Sequence, residues 1–132
     1  MNPHYPRVAE RAGHRCEYCH APEAIFNFPF EVEHILASSR QGTDRDTNLA
    51  LSCRACNLGK AAHLHRVDEL TGVETPLYHP RQDRWEDHLQ VMPDGVIVGK
   101  TPVGRVTVRT LKMNAALQIE ARRQWMRLGL FP

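Results

Sequence analysis

Four cysteines come as two matched pairs, Cys16-Glu17-Tyr18-Cys19 and Cys53-Arg54-Ala55-Cys56. Two C-x-x-C pairs can converge into a tetrahedral thiolate site for zinc, and four thiolates fill the coordination shell, so the site would be structural. A redox C-x-x-C and four free core thiols are the alternatives; two matched knuckles favour zinc. Between the pairs lie 33 residues, 20 to 52, where a simple ribbon leaves roughly 15–20. Something is mounted in that interval. It contains Glu31-Val32-Glu33-His34-Ile35-Leu36, flanked by apolar residues, which sets a carboxylate, Glu33, beside an imidazole, His34. On a strand these neighbours point to opposite faces. Asn48 follows, then Asn57 and Lys60, which are three apart and share a helix face. Taken singly, each has a bland explanation: a turn for Asn48, satisfied helix-end groups for Asn57, a solvated lysine, a hydrogen-bonded core histidine. The full set, framed by cysteines, points to a site.

The elements that must position these groups follow from local pattern. Pro6 to Gly13 reads as a short helix opened by Pro and closed by Gly. Residues 28–37 read as a strand, 38–47 as a polar loop containing Gly42, and 48–52 as a second strand. A helix is expected from Arg54 to about Arg66, weakened by Gly59. The next stretch, rich in Pro, Gly and Asp, should wrap the core with little regular structure, anchored by Tyr78 and Trp85. Two apolar arms around Pro93-Asp94-Gly95 predict a hairpin. Thr101-Pro102 looks like an N-cap and first helical residue. The β-branched run after it is ambiguous, and helix is the reading adopted. On that helix Arg105, Arg109 and Lys112 form one basic stripe. Asn114 is expected to cap a last helix whose apolar face is Leu117, Ala121, Trp125 and Leu128, stopped by Gly129.

The run from His14 to Arg66, with "HRCEYCH" and "FEVEHILASSRQGTDRDTNLALSCRACNLGK", resembles the HNH endonucleases, the ββα-metal or His-Me finger family, in its zinc-knuckle branch. The C-terminal half looks like the extension on many small stand-alone bacterial members. The resemblance implies an α+β fold: a ββα-metal finger stapled by a four-cysteine zinc site, with an N-terminal helix and a C-terminal β-hairpin plus helices. It implies a core over residues 1–70 and an extension over 71–132 packed on the same domain. His34 matches the family's general base, Asn48 the residue that holds the loop and orients that histidine, and Glu33 and Asn57 the ligands of a catalytic divalent ion. Glu stands where Asp is commoner, and Asn where the last His of the name stands. Both changes favour a hard ion, Mg²⁺ or Mn²⁺. The implied activity is hydrolysis of DNA phosphodiester bonds, by nicking unless the protein dimerises. Lys60 and Arg54 are expected to hold phosphate oxygens, Arg40 and Arg45 to grip the backbone, and Arg105, Arg109 and Lys112 to add sequence-independent affinity. The alternative is a zinc-stapled nucleic-acid-binding module with vestigial catalytic residues.

Composition agrees with a globular chain of 132 residues, 42% hydrophobic and 24% charged. No apolar run is long enough to span a bilayer and no apolar export segment opens the sequence, so a cytoplasmic setting is expected. The net charge of +2 is unevenly spread, +6 over residues 97–132 and −4 before them. An anionic partner gripped by the basic part suits that asymmetry, although two solvated helix faces would give the same numbers.

Overall fold

A computed structural model describes residues 1–132. Helix α1, Tyr5–Arg11, carries Pro6 in its first turn, one residue after its start, and buries Val8 and Ala9. Its Arg11 reaches the carbonyls of Asp46 and Leu49, which fixes the helix over the start of the second strand. Strands β1, Glu31–His34, and β2, Leu49–Ser52, pair antiparallel with Glu33 opposite Ala50 and His34 opposite Leu49. All four residues of β2 are buried. Helix α2, Arg54–Lys60, is capped by Cys53, whose sulfur accepts from the Cys56 amide at 3.5 Å.

The expected helix to Arg66 is too long. The chain leaves α2 at Ala61, which has φ +46°, and His65–Val67 becomes strand β3, paired antiparallel with β4, Glu74–Pro76. The middle of the chain is therefore more regular than its composition suggests. The preference of a short Gly-containing helix is weak, and the β3–β4 ladder takes the backbone groups that follow it. Helix α3, Trp85–His88, runs into the hairpin of β5, Leu89–Val91, and β6, Ile97–Gly99. Gly95 turns that hairpin with φ +88°, the left-handed region that suits Gly.

Helix α4, Pro102–Thr110, settles the ambiguous run in favour of helix: the Thr101 hydroxyl accepts from the Gly104 amide at 3.1 Å. Gly104 is buried where α4 crosses the His88 carbonyl, with no room for a Cβ. Helix α5, Ala116–Arg127, ends before Gly129, which has φ +73°. Its expected face is only partly inward: Ala121 and Trp125 are half-buried, with Trp125 against the core. Leu117 and Leu128 are exposed, and the buried residue is Arg122. The Arg122 guanidinium binds the carbonyls of Gly95 (2.6 Å) and Met113 (2.5 Å) and the Asn114 Oδ1 (3.1 Å). The Gly95 and Met113 acceptors are buried with it and Asn114 is half-buried, and satisfying them outweighs burying two leucines. Asn114 caps nothing; it bonds Ile97 N and O and so extends the edge of β6.

One core runs through the molecule, joining Val8, Cys16 and Leu51 of the first half to Leu77, Trp85, Ile97 and Val106 of the second. The Trp85 indole donates to the Tyr18 carbonyl at 2.8 Å and stacks on His20. No helix is long and apolar enough to cross a membrane.

Candidate metal and phosphodiester site

Cys16, Cys19, Cys53 and Cys56 are all buried, and their sulfurs lie within 4.8 Å of one another. Tetrahedral zinc with Zn–S near 2.3 Å needs sulfurs about 3.8 Å apart; Cys19 and Cys53 are at 3.8 Å. The donor set therefore fits a structural zinc, with one knuckle before β1 and the other leading from β2 into α2.

At the end of β1, the His34 ring is partly exposed and its Nε2 lies 2.7 Å from Asp44 Oδ1. A carboxylate only accepts, so Nε2 carries the proton and the lone pair is on Nδ1. Donation from His34 is the first cause holding the Asp44 carboxyl below its ordinary value. The loop that brings Asp44 back to β1 is held by Asn48. Its Oδ1 accepts from Leu36 N at 2.8 Å, and its Nδ2 donates to the carbonyls of Leu36 (3.1 Å) and Thr43 (2.7 Å). Gly42 packs so close to the Leu36 and Ala37 carbonyls that a Cβ would overlap them. A groove of about 190 Å³ opens beside His34, lined also by Val32, Ser38 and Asn57.

Glu33 also borders this groove, but its carboxylate is already paired. Its carboxylate is 3% exposed and faces α2, where Oε1 meets Lys60 Nζ at 2.5 Å, itself 2% exposed. Its Oε2 accepts from the Tyr18 hydroxyl at 2.6 Å. Burial pushes its pKa up, against the pull of Lys60 and Tyr18. Lys60 also donates to the Ile35 carbonyl at 2.8 Å. The two residues neutralise one another inside the protein, so Glu33 does not offer its carboxylate to an ion in the groove and Lys60 does not reach phosphate. The physical reason is position: β1 lies on α2, and an unpaired charge there would be costly.

At the groove, Asn57 has a partner that sequence pattern did not single out, Glu31. Asn57 Nδ2 donates to Glu31 Oε2 at 2.5 Å, and Arg54 Nη1 stands 3.5 Å from Glu31 Oε1. Asp44, against the His34 ring, is a second contact that the sequence did not reveal. For Glu31 a signal was available, because residues i and i+2 of a strand share a face.

The remaining basic residues divide. Arg40 is exposed and donates to the Ala62 carbonyl at 3.0 Å. Arg45 and Lys112 are exposed. Arg105 and Arg109 do not form a free stripe. Arg105 makes two bonds to Asp68, 3.0 and 2.9 Å, and Arg109 pairs with Glu69 at 2.9 Å and donates to the Val67 carbonyl at 2.5 Å. Both clamp the β3–β4 hairpin to α4. Lys112 lies beyond the helix end with φ +53°, off the stripe altogether.

A strand pair held against a helix, a loop pinned by an asparagine and a dithiolate knuckle at each end are the parts of one known unit. Residues 16–63 match the model of the HNH endonuclease family. This segment is similar to an HNH unit. No curated protein and no solved structure gives a significant match. The match covers 48 of the 132 residues, and the family it names is one of endonucleases.

Proposed function

We propose that the protein is a metal-dependent DNA endonuclease that hydrolyses phosphodiester bonds and nicks one strand per encounter. The observation that carries this reading is the His34–Asp44 pair at the mouth of a groove shared with Asn57. In the proposed step, His34 Nδ1 takes a proton from water as the water oxygen bonds to phosphorus. The bond to the 3′ oxygen breaks, and that oxygen leaves with a proton from solvent. Imidazoles titrate close to neutral pH and suit this work. Asp44 holds the ring in the tautomer that leaves Nδ1 free, and Asn48 holds the loop from which Asp44 reaches back. A bound Mg²⁺ or Mn²⁺ would supply charge neutralisation at the phosphate and at the leaving oxygen. Asn57 Oδ1 is the side-chain oxygen assigned to hold that ion. Arg45, Arg40 and Arg54 are assigned to the DNA backbone.

The buried Glu33 favours a second reading, a zinc-stapled nucleic-acid-binding module that does not cut. Relaxation of supercoiled plasmid separates the two. With Mg²⁺ or Mn²⁺ the wild type should nick, chelator should stop it, and His34→Ala should lower the rate by about 10²–10⁴-fold. Equal activity in wild type and His34→Ala, or binding without nicking under either metal, would reject the nuclease.

A further inference from the structure

We propose that Glu31 is a positioning residue, whose carboxylate holds the Asn57 amide with its NH₂ end inward and its oxygen turned to the groove beside His34. This rests on the function proposed above. An asparagine amide is nearly symmetrical in shape, so packing alone does not decide which end faces the groove. Chemistry does. A carboxylate accepts and cannot donate, and Glu31 Oε2 stands 2.5 Å from the Asn57 amide, so it selects the nitrogen. Asn57 borders two hollows: one contains Glu31, Tyr5 and Phe30, the other His34 and Ser38. With the nitrogen committed to the first, Oδ1 is left for the second, and it takes no hydrogen bond from the protein. Without Glu31 the amide could present its NH₂ end, which repels a cation.

Glu31 is itself held. It sits opposite Ser52 in the β1–β2 ladder, and Arg54 stands at its other oxygen. Hydrogen-bond partners one step behind a metal ligand change metal affinity by about 10–100-fold when removed. The test is a double-mutant cycle on Mn²⁺ binding to zinc-loaded protein, with free Mn²⁺ counted by electron paramagnetic resonance. Glu31→Ala should weaken binding about tenfold and Asn57→Ala at least as much, while the double variant should be no weaker than Asn57→Ala. Glu31→Asp keeps an acceptor-only group and should recover part of the loss; Glu31→Gln, which can face either end of an amide, should fall between. In the protein without Mn²⁺, the Asn57 side-chain NH₂ resonance should shift in Glu31→Ala while zinc content stays at about one per chain.

Losses that add in full would overturn the proposal, because Glu31 would then act on the ion itself. Unchanged affinity in Glu31→Ala, or an unmoved amide resonance, would overturn it too. A wild type that nicks plasmid but binds Mn²⁺ without regard to Glu31 removes this inference alone. A wild type that neither takes up Mn²⁺ nor nicks removes the proposed function with it.

Discussion

His34 is held by a residue ten positions away, in the polar loop that follows its strand. Asp44 is largely exposed, yet it accepts the ring proton at 2.7 Å, so its value lies in orientation and tautomer choice more than in stability. Asp44→Asn should leave folding and zinc content unchanged and lower the nicking rate by about 10–100-fold, read as initial rates on supercoiled plasmid at saturating Mg²⁺. A loss of zinc or of melting temperature in that variant would instead make Asp44 a loop staple. The site was partly legible at this scale. The cysteines, His34, Asn48 and Asn57 declare themselves because their types and spacings are unusual. Asp44 does not, because one acid among Thr43, Arg45 and Asp46 carries no signal until the loop folds back.

At the scale of elements, β1 and α2 meet through a ladder of polar residues: Glu31 with Asn57 and Arg54, then Glu33 with Lys60. Strand period two against helix steps of three gives this pairing once the packing is known. Sequence pattern showed both periods but not that the faces meet, which is why Lys60 was expected at a phosphate and Glu33 at an ion. The Glu33–Lys60 pair is buried, and removing one partner strands the other. Glu33→Gln should cost about 3 kcal/mol, whereas Glu33→Leu with Lys60→Met should recover most of it. Urea denaturation at fixed zinc concentration measures both, and a mild Glu33→Gln variant would argue that the pair is wetter than the structure has it. The same blindness explains α5. Half of its Leu117 stripe, Ala121 and Trp125, does turn inward, but acceptors at Gly95, Met113 and Asn114 hold Arg122 there in place of Leu117 and Leu128. Local features fared better: the Thr101 cap, the hairpin turn at Gly95 and the first helical turn at Pro6 are decided within a few residues and were all readable.

Across the whole molecule, charge holds the two halves together. Two of the basic residues expected to meet DNA, Arg105 and Arg109, are used inside the fold. Asp68 is the centre of that clamp: Arg105, followed by Thr71, holds its carboxyl well below the ordinary range. A depressed folded value means that the unfolded chain takes up the proton first as pH falls. The stabilisation is therefore complete above about pH 4 and is lost as pH drops through the folded value. Asp68→Asn should be less stable than wild type at about pH 5–7, and the gap should close progressively below about pH 4. Melting curves of both proteins, compared at each pH, cancel the loss of zinc that acid causes in either; a gap that stays constant with pH would exclude Asp68 as its source.

The bond from the Trp85 indole to the Tyr18 carbonyl spans 67 residues, and that from Arg15 to the Leu130 carbonyl spans 115. Each closes a long loop before it returns any energy, and loop closure is what slows folding when contacts are distant in sequence. The segment from Cys16 to His63 therefore has its ligands and its strands early but lacks the lid that dries its first knuckle until the later chain arrives. Zinc caught by the four thiolates would draw residues 16–19 and 53–56 together in advance and shorten that search. A metal held by these four thiolates would thus also set the pace at which the fold forms.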